Sequence, residues 1–188
     1  MLAGYSSLLI AVTAERERGM LKRLRGTPMP SWIFLTGEII RTTVVVAVTV
    51  VVLVAVGSGV YHVPIQAHTV IGLAVYTVAG TACMCALGLA STRACATTEA
   101  ASVAGPFVTL ILGFISGVFI PVSIMPTWML DVGKLFPLEH VARGLQQAFA
   151  VPGSTGITAI DLAALAAWGA AGIVTALVSF RWEPHDNW

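Results

Sequence analysis

The sequence predicts an all-α, polytopic membrane helix bundle. It has four full spans, a partial span at its N-terminal end and an external re-entrant helical hairpin. Three observations carry that expectation. Charged residues make up only 10% of the 188 residues and hydrophobic ones 57%, whereas a soluble domain is about a quarter charged. The apolar residues come in long blocks without the polar face a soluble helix needs, and mean hydropathy is +0.89. One compact charged island, residues 15–30, interrupts the pattern with five of the ten basic residues and two of the nine acidic ones. Such an island is too costly for hydrocarbon and marks an aqueous face.

The elements follow in chain order. Residues 1–14 would rise only about 21 Å as a helix, too short for a hydrocarbon core of roughly 30 Å. They read as the inner half of a helix whose beginning is missing, in a chain shortened at its N-terminus or given a misassigned start. The island 15–30 follows, and Pro28 and Pro30 break any helix there. Full spans are expected at 39–59, 67–90, 100–122 and 157–180, each near the roughly 20 apolar residues a crossing needs. The valine-rich run 44–56 still reads as helix, because backbone pairing is compulsory in lipid. Glu38 and Arg41 are three apart on one helix face and can pair. Arg41 suits the inner interface, and Glu38 faces either that interface or another helix. The stretch 123–150 is too apolar for a free loop and too charged for a span. It reads as two short helices dipping into, or lying on, the outer interface, framed by Pro121, Pro126, Pro137 and Arg143. Trp128 suits the headgroup zone. Residues 152–156 form a turn before the last span. No repeat or linker divides the chain, so 1–188 is one membrane domain.

Lysine and arginine bias sets the orientation. With the island inside, Arg16, Arg18, Lys22, Arg23, Arg25, Arg41, Arg93 and Arg181 lie on the inner side and only Lys134 and Arg143 outside. The expected location is the cell membrane, with segment 15–30 and the C-terminus cytoplasmic.

Several chemistries find no support. A net charge of +1 offers no field for nucleic acid. Cys83, Cys85 and Cys95 lack paired metal-ligand spacing. His62 and His68 flank Pro64 in a short outer loop, which suits solvation better than ligation, so no metal site is expected. Gly133-Lys134 lacks the rest of a phosphate-binding loop. Ser116, beside Gly113 and Gly117, has no histidine within a span to activate it. Gly113 and Gly117 read instead as a small-residue packing face, as do Ala163, Ala167 and Ala171. Asp161 can cap the last span at the outer surface. No chain of buried acids crosses the bilayer, so a proton-driven carrier lacks its relay.

The island Glu15-Arg16-Glu17-Arg18-Gly19-Met20-Leu21-Lys22-Arg23-Leu24-Arg25-Gly26-Thr27-Pro28 resembles the cytoplasmic segment of ABC-2 type transporter permeases. So do Ser116-Gly117-Val118-Phe119-Ile120-Pro121, Met125-Pro126 and Phe136-Pro137-Leu138 with Arg143. Daunorubicin-resistance-like drug permeases look most similar. The resemblance implies a permease subunit that exports a hydrophobic or amphiphilic compound, such as a drug, lipid or polyketide. It implies two partners, an ABC ATP-binding subunit and a second permease subunit in a homo- or heterodimer. It further implies that this chain binds no cofactor and that ATP and Mg belong to the partner ATPase. The island, Glu15 through Leu24, would couple the two. Met20, Leu21 and Leu24 can share one helical face, while Glu15, Arg16, Glu17, Arg18, Lys22 and Arg23 supply pairing charges. A plain basic anchor for anionic lipid is the simpler alternative, against which the two acids count. The other reading is a non-transporting, shortened membrane protein acting as an assembly or regulatory partner.

Overall fold

Backbone amides in hydrocarbon have no water to bond, so each apolar block must pair its own main chain, and helix does this locally. A computed structural model describes residues 2–18, 31–60, 66–120, 125–150 and 153–179, and the described residues form seven helices and no strand. They are α1 (Leu2–Glu17), α2 (Ser31–Val60), α3 (Ala67–Ser91), α4 (Thr98–Ile115), α5 (Thr127–Gly133), α6 (Pro137–Ala150) and α7 (Ala159–Ser179). Four of them, α2, α3, α4 and α7, are long and apolar enough to cross a membrane. The protein is a multi-pass membrane helix bundle.

α3 is the axis of the bundle. It packs most extensively against α7, then against α1, α2 and α6, while α1 also packs along α4. Its composition allows this. Small residues, among them Gly72, Gly80, Cys83, Cys85, Ala86 and Gly88, are buried along its length, so neighbouring backbones approach closely. A Cβ at Gly88 would lie 2.7 Å from the carbonyl oxygen of Tyr5. Three apolar clusters tie the helices together. Tyr5 and Leu9 meet Met84, Ala101 and Leu138; Leu8 and Val12 meet Cys85, Leu89 and Ala176; Tyr76 and Cys83 meet Val141 and Leu165. The outer faces stay apolar. Val44, Val48, Val51 and Val52 of α2 and Val103, Phe107 and Leu110 of α4 are exposed, as lipid-facing surfaces are.

Element boundaries depart from the periodicity in three places. α1 runs on through Glu17, so the first charges of the island continue its helix. α2 begins at Ser31, ahead of the apolar block that starts at 39, and Glu38 and Arg41 lie within it. α4 stops at Ile115 rather than near 122. Gly117 adopts a left-handed φ of 71°, which terminates a helix at little cost for glycine. The chain then reverses, and the Phe119 ring folds over Gly113 and lies 5.4 Å from Phe114. Gly113 and Gly117 therefore do not share a helical packing face.

Candidate functional site

Polar side chains gather at the two ends of the bundle. One end carries Arg16 and Arg18, and the other carries the hairpin of α5 and α6.

At the basic end, α1 delivers Arg16 and Glu17 to the connection between α3 and α4. Arg16 is only 5% exposed. Its guanidinium donates to the carbonyls of Thr92 (3.2 Å), Cys95 and Ala96 (3.4 Å), the C-cap of α3 and two residues of the connection that follows it. Burial pulls the Arg16 guanidinium below its ordinary value. Glu17 reaches the next helix. One carboxylate oxygen accepts from the Thr98 amide at 3.0 Å and the other from the Thr98 hydroxyl. Those two bonds hold the Glu17 carboxyl below its usual range. Thr97 completes the start of α4 as its N-cap, accepting from the Ala100 amide at 3.1 Å. Glu15 is half-buried. Burial, then Glu38, raises its carboxyl above the ordinary value. Glu38 and Arg41 form the ion pair expected from their spacing, with Arg41 Nε 3.1 Å from either Glu38 oxygen. Arg18 is exposed. The rest of the island, Gly19, Met20, Leu21, Lys22, Arg23 and Leu24, lies outside the described residues.

At the hairpin end, Asp161 is fully buried where α3, α6 and α7 meet. Thr158 supplies both halves of a local cap: its hydroxyl accepts from the Asp161 amide at 3.3 Å and donates to the Asp161 carboxylate. Arg143 donates to the other carboxylate oxygen, and that bond raises the guanidinium above its ordinary value. His140 Nδ1 lies 2.7 Å from the same oxygen, and its Nε2 lies 3.0 Å from the Lys134 carbonyl. Both partners are acceptors, and the Arg143 Nη2 donor stands 3.3 Å from the same Nδ1. Tyr76 donates to the Gly156 carbonyl at 2.9 Å and stands 3.4 Å from Asp161 Oδ2. Asp161 does not itself cap the last span as expected: Thr158 is the cap, and the Asp161 carboxylate is the centre of a buried network of side chains.

The hairpin residues separate by environment. Pro137 is buried at the start of α6, while Pro126 and Trp128 are exposed at the start of α5. Pro121 lies outside the described residues. Between the end of α4, α5 and α6 is a half-open cavity of about 340 Å³, with Ile115, Met125 and Leu130 as apolar wall and Glu139, Arg143 and Gln146 as polar wall. Ala163, Ala167 and Ala171 face outward. α7 packs within the chain through Asp161, Leu165, Gly172 and Ala176 instead.

Sequence reasoning missed two groups. Tyr76 and His140 belong to the Asp161 network, and Thr92 and Thr98 complete the basic end. The spacing Thr158-x-x-Asp161 marks a helix start but does not point to Tyr76 or His140. Nothing in local sequence pairs Arg16 with carbonyls some 80 positions away. No group of three or more potential metal ligands assembles among the described residues. His68 is engaged by the Gly153 amide at 3.2 Å, and His62 lies outside the described residues.

Comparison with known proteins fits this architecture. The sequence model of the ABC-2 type transporter family matches residues 1–150, which takes in the basic end and the hairpin. Two curated relatives carry the name "Probable multidrug ABC transporter permease YbhR", one from Escherichia coli (strain K12) and one from Escherichia coli O157:H7. Each is 24% identical over 141 residues, covering 74% of this chain and 38% of the relative. The chain therefore spans well under half the length of the relatives it matches. No solved structure matches.

Proposed function

The chain belongs to the ABC-2 type transporter family, and from that premise we propose that it is a membrane-spanning permease subunit of an ATP-binding cassette exporter. It works with a separate ATP-binding subunit and a second permease subunit, in the cell membrane, with the basic end and the C-terminus in the cytoplasm. The family match across residues 1–150 is the observation that carries this reading. The multidrug permease name of the relatives and the exposed apolar helices support it. The cargo is a hydrophobic or amphiphilic compound that moves between subunits along apolar helix faces. A daunorubicin-like drug fits that description, as does a lipid or polyketide.

The charged segment from Arg18 onward supplies the dock for the ATP-binding subunit. Met20, Leu21 and Leu24 enter a cleft on that subunit while Arg18, Lys22 and Arg23 pair with its acids. ATP and Mg act there. Co-expression with an ABC ATP-binding subunit of the same organism tests the proposal. The two chains are expected to co-purify and, in vesicles, to drive ATP-dependent movement of a lipophilic fluorescent cation. Reversing Lys22 and Arg23 to Glu should abolish that movement. Co-purification without transport would favour the assembly-partner reading, and no association at all would overturn the permease.

A further inference from the structure

Arg16 and Glu17 are adjacent, yet they serve the ends of two different helices. Arg16 holds the chain as it leaves the carbonyl end of α3, through its C-cap Thr92 and then Cys95 and Ala96. Glu17 closes the amide end of α4, through the main chain and side chain of Thr98. A helix carries partial negative charge at its carbonyl end and partial positive charge at its amide end. The cation therefore sits on the negative end and the anion on the positive end, and the reverse order would repel at both. Arg16 is also too deeply buried to reach a separate protein. Glu17 is exposed, but both its carboxylate oxygens are bonded to Thr98, so the two side chains join the C-terminal end of α1 to residues 92–98 as one piece. Arg18 begins at the next position and is exposed, so a load applied to the end of α1 enters this piece first.

We propose that Arg16 and Glu17 are positioning residues that carry movement of the basic end into α3 and α4, and that neither touches the ATP-binding subunit. α3 then conveys it to the hairpin end, because the same helix holds Tyr76 beside Asp161. The proposal rests on the permease reading above.

Hydrogen exchange of the membrane-embedded chain alone reads the clamp without any partner. Glu17→Ala should speed exchange of the Thr98 amide, and unchanged exchange would overturn the clamp. In the complex with the ATP-binding subunit, Glu17→Ala should leave association and ATP hydrolysis unchanged. Transport per ATP should fall at least about fivefold, the lower end of ordinary coupling between sites. Glu17→Gln keeps an acceptor for Thr98 and should restore most of it. Thr98→Val should reproduce the loss, and the double variant should be no worse than either single one, because both act through one contact. Weakened association in Glu17→Ala would make Glu17 a direct contact and overturn the proposal, as would an unchanged transport ratio. Should Glu17→Ala fail to fold, Thr98→Val carries the same comparison. A wild-type chain that binds no ATP-binding subunit would instead remove the permease reading, and this inference with it, while the exchange result would stand.

Discussion

Asp161 holds a charge where none of its side chain meets solvent, and its neighbours explain how. Arg143 and His140 supply opposing charge or donors, and Thr158 supplies a hydroxyl. Replacing Asp161 with Ala strands those partners in a partly desolvated site, so the loss should be about 3–5 kcal/mol. It should appear as a lower unfolding temperature of the detergent-solubilised protein. Arg143→Ala should cost at least as much, because it leaves the fully buried Asp161 carboxylate without its guanidinium partner. A clearly smaller loss for Arg143→Ala would mean that the buried charge does not depend on that pair. Glu17 makes a prediction in pH. Its carboxyl is held below the ordinary value in the folded chain, so the unfolded chain binds the proton more readily. The linked stability is full above the ordinary carboxyl range and is lost as pH falls through the lowered folded value. Exchange at Thr98, corrected for its intrinsic pH dependence, should therefore accelerate over that acidic window. Glu17→Gln should remove the acceleration.

The helices owe their contacts to absent side chains as much as to present ones. α6 can lie against α3 because Gly144 faces Tyr76, where a Cβ would sit 2.1 Å from the ring. Gly144→Ala should push the two helices apart at a cost of about 1–3 kcal/mol, the usual range for overpacking. Because Tyr76 then leaves the Gly156 carbonyl, the variant should also speed exchange near the start of α7. Thermal unfolding and hydrogen exchange check the two halves separately. α4 illustrates the opposite control. Its apolar run continues past Ile115, yet left-handed Gly117 ends the helix and turns the chain toward the hairpin. Hydropathy registers whether a residue suits lipid, whereas helix termination depends on a backbone angle that hydropathy does not contain.

The whole molecule has two chemically distinct ends joined by α3, and that polarity is open to direct test. With the three free cysteines replaced by alanine, single cysteines at Arg18 or Arg93 should react with a membrane-impermeant maleimide only after cells are permeabilised. A cysteine at Asp131 should react on intact cells, and the reverse pattern would invert the proposed orientation. The class of the protein was legible without coordinates. Transfer energetics act on composition and block length alone, so four membrane-long apolar runs announce four crossings wherever they pack. The Glu38–Arg41 pair was legible for a similar reason, because helical spacing determines which neighbours share a face. Partners distant in sequence were not. Arg16 and Glu17 read as charges for pairing with another subunit, and only the packing of α1 against α3 and α4 gave them carbonyl and amide partners within the chain. His140 lies in the stretch 123–150 expected as short helices, and only the folding of α6 onto α3 and α7 brings it to Asp161. Local sequence determined what each segment must be, because solvent and helix geometry act residue by residue. Tertiary structure decided which charges are shared, because a buried ion keeps its charge only where several helices bring it partners at once.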